Sequence, residues 1–138
     1  MEFDKIIKGE ICPYCNCSTI LVKGDVIYPH KLTEIPKPKY LDKNYYLCIE
    51  NADHYVGTYA DNTTSLGRLA DSSLRILKSN GHRAFDPLWK EKIAFNSQAE
   101  AYDWLSIEME LPLEHTHFGM FTEEQCEKAI KLCEEKAR

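Results

Sequence analysis

The sequence predicts an α+β fold. A small β unit over residues 1–60 is followed by about three α-helices over residues 61–138, the two packed as one unit. Three observations carry this expectation. Cys12-Pro13-Tyr14-Cys15 places two thiols on one tight turn. Short β-branched and aromatic runs follow it at residues 19–22, 26–28, 45–48 and 55–57. From Leu66 onward the apolar spacing changes to three and four, and two helix-capping boxes appear.

Residues 1–11 hold little pattern beyond Phe3, Ile6 and Ile7, read as a short packed segment. Residues 19–22 and 26–28 flank Lys23-Gly24-Asp25, two β-branched runs around a glycine, which predicts a hairpin. Pro29, Pro36 and Pro38 exclude regular structure from residues 29–43. Tyr45-Tyr46-Leu47-Cys48 reads as a strand and Tyr55-Val56-Gly57 as its return. Cys48 and His54 stand at the two ends of the turn between them. A turn bearing Cys12 and Cys15 and a later one bearing Cys48 and His54 have the layout of a zinc ribbon. The expected ion is Zn2+, held by Cys12, Cys15, Cys48 and His54. The fourth ligand stays open between His54, Cys17 and water. Cys17 is one residue removed from Cys15 and cannot repeat the turn that pairs Cys12 with Cys15. His30, in the proline-rich loop, is expected to be solvent-exposed.

Cys-Pro-Tyr-Cys is also the active-site tetrapeptide of glutaredoxins, where the first thiol sits at a helix N-terminus. Here the following residues, Asn16 to Val22, are poor helix formers, and no buried strand precedes the motif. The context favours a metal site over a dithiol redox site.

In the second half, Asp71 is the expected cap of a first helix carrying Leu74, Leu77, Ala84, Phe85 and Leu88. Asn80-Gly81 is a point of interruption and Pro87 a stop. Ser97-Gln98-Ala99-Glu100 opens a second helix, with Ala101, Trp104, Leu105 and Met109 on one face. Thr122-Glu123-Glu124-Gln125 opens a third, in which Cys126, Ala129, Ile130 and Cys133 form the buried stripe. Between them, His115-Thr116-His117-Phe118-Gly119-Met120-Phe121 reads as a loop docked by its apolar residues. His115 with His117, and His82 with Asp86, are the pairs an acid–base or metal site would use. Neither comes with a nucleophile motif, and there is no phosphate-binding glycine loop or dinucleotide fingerprint.

Net charge is -5, which argues against coating nucleic acid by bulk electrostatics. Residues 1–60 carry 7 lysines against 8 Asp and Glu, and the rest carry 10 Lys and Arg against 14 Asp and Glu. No apolar run approaches the ~20 residues that span a bilayer, and the N-terminus lacks a signal-peptide pattern. The expectation is therefore a cytoplasmic protein with reduced thiols, no membrane contact and no organic cofactor.

Beyond the cysteine motif, Ile27-Tyr28, Tyr46-Leu47-Cys48, Tyr55-Val56-Gly57, Leu66-Gly67-Arg68-Leu69-Ala70-Asp71, Leu74-Arg75, Phe85-Asp86-Pro87-Leu88-Trp89, Ala101-Tyr102-Asp103-Trp104-Leu105 and His117-Phe118-Gly119-Met120-Phe121 occur in one order. Through these blocks the chain, from Ile11 to Ile130, resembles the small zinc-finger-containing domain proteins of bacteria and their phages. The resemblance brings no activity with it. That family usually has a cysteine just before the Tyr-Val-Gly, where this chain has His54, and a histidine where this chain has Tyr59.

Two function classes follow. The first is a binding module with structural zinc, its partner a protein or nucleic acid. Lys37, Lys39, Tyr40 and Lys43 form a locally basic loop with an aromatic, suited to single-stranded nucleic acid. The acidic helical half suits a basic protein surface, as a phage accessory protein would need against a host factor. The second and lesser expectation is a hydrolase or nuclease. It would use an open zinc position with Glu50 or Asp53 as base, or His82, Asp86, His115 and His117. No catalytic residue is assigned.

Overall fold

A computed structural model describes residues 2–138, the side chain of Glu2 excepted; Met1, where the stretch read for a signal peptide begins, lies outside them. The chain divides into two compact units, one through Ser72 and one over Ser73–Arg138. The first holds helix α1 (Glu2–Ile7), strand β1 (Thr19–Lys23), a one-turn helix α2 (Gly24–Ile27), β2 (Asn44–Cys48) and β3 (Tyr55–Gly57). The second is built on α3 (Ser72–Lys90), α4 (Gln98–Met109) and α5 (Glu123–Lys136). The expected α+β arrangement, a small sheet followed by three helices, is present.

The strands form one antiparallel sheet in the order β1-β2-β3. The predicted hairpin between residues 19–22 and 26–28 does not form. β1 pairs instead with β2, Thr19 opposite Cys48 and Lys23 opposite Asn44. The Gly24 N–H donates to Lys43 O at 2.8 Å, so the chain stays tied to β2 as it turns into α2. The segment 29–43 contains only two 3-10 turns, Pro29–Lys31 and Lys39–Asp42.

Direct pairing sets the two faces of the sheet. Ile20, Val22, Tyr45, Leu47 and Tyr55 share one, and Thr19, Leu21, Tyr46, Cys48 and Val56 the other. On the first face, Tyr28, Tyr40, Tyr45 and Tyr55 pack edge to face, and the Tyr28 and Tyr55 hydroxyls are 2.9 Å apart. The second face carries a small core of Cys12, Cys48, Val56 and Leu69, with Cys15, Cys17 and Tyr46 against it.

Residues 66–70, where the helical spacing begins ahead of the expected cap, pass beside β3 through a bend at residues 66–68. Ala70 and Tyr55 exchange both backbone hydrogen bonds, and the Leu66 N–H donates to Gly57 O. Gly67, with φ 151°, is why: that backbone angle is incompatible with a helix and open to glycine. The helix begins at Ser72, one residue after the expected cap. It runs unbroken through Asn80-Gly81, and Pro87 lies inside its final turn. A proline there removes one hydrogen bond near the end of the helix, which a 19-residue helix tolerates.

Both capping boxes lie where the sequence puts them. Ser97 Oγ accepts from the Glu100 N–H, while the Glu100 carboxylate reaches one residue further back, to the Asn96 N–H. At α5, Thr122 and Gln125 cap each other reciprocally. Cys126, Ala129 and Cys133 are fully buried, as expected of the stripe, as are Ala101 and Leu105 on α4.

Gly81 is buried mid-helix, and a Cβ there would lie 2.2 Å from a ring carbon of Phe118. Phe118 is itself wedged between Phe85 and Phe121. Gly81→Ala gains roughly 1 kcal/mol of helix propensity. It must also displace a buried ring, an overpacking cost at or above the top of the usual ~1–3 kcal/mol range. A net loss of about 2 kcal/mol is expected, read as a lower urea midpoint. A midpoint equal to wild type would show that the ring yields freely.

Candidate metal centre

Cys12 to Cys17 form a loop closed at its base by the Ile11–Ser18 bridge. Inside it the Cys12 N–H donates to Cys17 O at 2.9 Å and the Asn16 N–H to Cys12 O at 2.8 Å. Asn16 takes the left-handed conformation, φ 55°, which asparagine tolerates better than most residues. The β2–β3 turn repeats this construction. The Cys48 N–H donates to His54 O at 3.0 Å, and the His54 N–H to Asn51 O at 3.1 Å. The Asn51 side chain accepts from the Asp53 N–H and tightens the turn. Two turns, each fixed by backbone bonds across its base, thus face one another.

The ligand atoms of Cys12, Cys15, Cys48 and His54 all lie within 4.8 Å of one another. His54 Nδ1 is 3.5 Å from Cys12 Sγ and 3.6 Å from Cys15 Sγ. Four donors at bond lengths of about 2.0–2.3 Å around a tetrahedral zinc stand roughly 3.3–3.8 Å apart, so these contacts fit such an ion. Cys12 is fully buried, Cys48 3% and His54 8% exposed, while Cys15 is half-buried. A buried imidazole grouped with three thiols, two on the first turn and one on its own, is a metal-binding donor set. The Tyr14 ring covers His54, centroids 4.4 Å apart, and its hydroxyl accepts from the Asp71 N–H.

Burial raises the Cys12 thiol, and raises Cys15 to about 12 with help from the neighbouring thiols. Burial also pushes Cys48 up, but hydrogen bonds from the Glu50 N–H, the Cys17 thiol and the Asn51 N–H outweigh it and bring Cys48 down to about 6. The Glu50 N–H lies 3.4 Å from Cys48 Sγ. Cys48 is thus the thiolate that the backbone prepares for a cation.

Of the remaining candidates, only Cys17 and Glu50 adjoin this cluster. Cys17 Sγ is 3.3 Å from Cys48 Sγ and, with Cys15 and Glu50, makes a three-residue group at its edge. His30 is exposed, its ring 6.5 Å from that of Tyr28. The Asp53 carboxylate accepts from the N–H and hydroxyl of Ser72. Lys37, Lys39 and Lys43 are exposed, whereas Tyr40 is half-buried, its ring 4.9 Å from Tyr28. In the helical unit, His82 Nδ1 is 3.6 Å from Asp86 Oδ1 on the surface of α3. His117 lines an open cavity of about 420 Å³ with Tyr102, Asp103, Leu113 and Glu114. Burial lowers the His117 pKa. Among the described residues, none of these histidines joins a metal-binding group. Sequence reasoning missed Tyr14 and Leu69 as walls of the centre. The helical reading of residues 66–70 hid Leu69.

Among the described residues, no helix is long and apolar enough to cross a membrane. No curated protein and no solved structure matches the chain at a significant level. A family model described as a zinc-finger-containing domain matches residues 8–136, both turns and all three major helices included. By that match, and with the four-donor cluster where such a finger needs it, the chain belongs to the zinc-finger-containing domain family.

Proposed function

We propose that the protein is a zinc-stabilised binding module: Cys12, Cys15, Cys48 and His54 hold one Zn2+ as a structural ion, and the loop from Lys31 to Lys43 docks a protein partner. Three thiolates and an imidazole fill the tetrahedron of zinc, leave no position for water and weaken the Lewis acidity of the metal. This favours a structural ion over the hydrolase alternative. Asp53, one of the bases that alternative needs, is engaged with Ser72. The surface pair His82–Asp86 has the form of an ordinary helical ion pair.

The observation that carries the docking reading is Ile35, which is 96% exposed at the outermost part of the loop. Leu32 is also exposed, and the same loop exposes Lys37, Lys39 and Lys43 against Glu34 and Asp42, with Glu34 paired to Lys31. A fully exposed apolar side chain on a loop with an excess of exposed lysines suits an apolar socket with carboxylates near it. The alternative, single-stranded nucleic acid, requires aromatic faces for stacking. Tyr40, the aromatic of this loop, instead has its ring packed against Tyr28. In the phage setting that the sequence resemblance suggests, the partner would be a host protein.

The test is capture from lysate on the immobilised full chain, with and without nuclease, beside Ile35→Asp and Lys37→Glu/Lys39→Glu variants. Support is a protein that survives nuclease and is lost with Ile35→Asp. Nucleic acid lost with the lysine variant, but kept by Ile35→Asp, would replace this reading with the nucleic-acid one. Binding indifferent to both variants would remove the loop from the interface.

A further inference from the structure

We propose that Cys17 is an oxidation site: a peroxide joins its sulfur to that of Cys48 in a disulfide, which takes Cys48 from the ligand set and releases the metal. The release rests on the zinc reading above; the disulfide does not.

Cys17 is not one of the four converging donors, yet its Sγ is 3.3 Å from Cys48 Sγ. The strand register explains the approach. Cys48 stands directly opposite Thr19 across β1 and β2, and Cys17 precedes Thr19 by two residues. The Ile11–Ser18 bridge keeps this stretch extended, so Cys17 and Cys48 are diagonal neighbours on one face. A disulfide needs the sulfurs at about 2.05 Å, so they must close by little more than 1 Å.

Access and selectivity point the same way. Cys17 is half-buried at the rim of the cluster, within reach of a small oxidant. Cys126 and Cys133 are fully buried on α5. Cys12 and Cys15 are both donors, and a metal ion between their sulfurs opposes a bond between them. Cys17 is thus the thiol of this cluster that lies outside the four converging donors.

The chemistry balances with peroxide as oxidant. The Cys17 thiolate, its proton given up to solvent, attacks one peroxide oxygen: an S–O bond forms, the O–O bond breaks, and the departing hydroxide is protonated to water, leaving a sulfenic acid. The Cys48 thiolate then attacks the Cys17 sulfur. The S–S bond forms, the S–O bond breaks, and hydroxide departs to be protonated by solvent. The two sulfurs lose two electrons, and peroxide is reduced to two waters. A dithiol reductant reverses the step and returns Cys48 to the metal.

The test treats the zinc-loaded full chain with graded hydrogen peroxide. Disulfides are mapped by mass spectrometry of a non-reducing digest, and free zinc is followed with a chromogenic chelator. A Cys17–Cys48 linkage is expected, rising in step with zinc release and reversed by dithiothreitol. Cys17→Ser keeps a donor toward Cys48 and should load zinc as the unaltered chain does, Cys17→Ala somewhat more weakly, and both, once loaded, should lose it to peroxide several-fold more slowly. A Cys12–Cys15 linkage in place of Cys17–Cys48 would overturn the proposal, as would zinc loss from both variants at the wild-type rate. The map in the unaltered chain needs no variant. If the preparation holds no zinc, the zinc reading fails, while the map still decides whether Cys17 and Cys48 are oxidised together.

Discussion

Removing the metal, by chelation or by Cys48→Ser, unfolds the unit that ends at Ser72 and leaves the helices over Ser73–Arg138 largely formed. Beyond the centre itself, the core on that face of the sheet is small: Val56 and Leu69, with Tyr46 packed against them. Together with the tyrosines and Leu41 on the other face it is still a small core for roughly 70 residues. A structural zinc contributes on the order of 10–16 kcal/mol of apparent binding energy, comparable to or above the ~5–15 kcal/mol that separates most folded domains from their unfolded chains. His54→Ala removes one donor of four and should act in the same direction. Backbone amide spectra decide the matter: signals of residues 2–72 should collapse toward random-coil positions in chelator. Spectra that stay dispersed there would show that the ion, if bound, is not structural.

The same centre sets a pH dependence. Burial keeps Cys12 and Cys15 as thiols near neutral pH in the metal-free protein, whereas Cys48, at about 6, is already a thiolate. Zinc must displace one proton from each of Cys12 and Cys15, so metal affinity rises with pH and falls as pH drops. Below about 6, Cys48 also takes up a proton and affinity falls more steeply. Calorimetric titration in buffers of different protonation enthalpy reads the released protons directly. Affinity that does not vary between roughly pH 6 and pH 8 would contradict this protonation scheme.

What could be read from the sequence was local. Cys12-Pro13-Tyr14-Cys15 forms its turn from six consecutive residues, and the Cys48–His54 turn is equally short. Pairing the two turns required only that strands flank them. Both capping signals are also local: the box at Thr122 and Gln125 is formed, and at α4 the Ser97 half is, with Glu100 turned to Asn96. The errors arose where the partner of a segment is distant in sequence. Residues 66–70 have apolar residues at helical spacing, and only Gly67 signals that they pass beside β3 instead. Tyr28 has the composition of a strand residue, but its place is among Tyr40, Tyr45 and Tyr55, which the chain reaches through an irregular loop. The choice between His54 and Cys17 could not be made from spacing. The structure groups His54 Nδ1 with the Cys12 and Cys15 sulfurs and sets Cys17 Sγ against Cys48 Sγ, which spacing alone does not show.

Gly24→Ala should destabilise the sheet unit by about 3 kcal/mol or more, beyond the usual ~1–3 kcal/mol of an overpacked site. Gly24 reads in sequence as the glycine of a hairpin turn, which would ask for backbone freedom. Its actual requirement is space. A Cβ at Gly24 would lie 2.1 Å from Tyr40 O and 2.8 Å from Leu41 Cα, both backbone atoms that cannot rotate away. Relief requires the Lys39–Asp42 turn to move as a body. That turn carries the buried Leu41, sets Tyr40 against Tyr28, and leads to the Lys43 carbonyl that accepts from the Gly24 N–H. The substitution therefore strains the loop proposed for docking and the start of β2 together. Gly57→Ala is the matched control: its Cβ would meet Leu66 and Tyr45 side chains at 3.4 Å, ordinary contact. It should cost no more than about 1 kcal/mol, partly offset by the lower entropy of alanine in the unfolded chain. Urea midpoints of the two zinc-loaded variants make the comparison. If Gly24→Ala loses no more stability than Gly57→Ala, the close approach of the Tyr40 carbonyl is not what reserves position 24 for glycine.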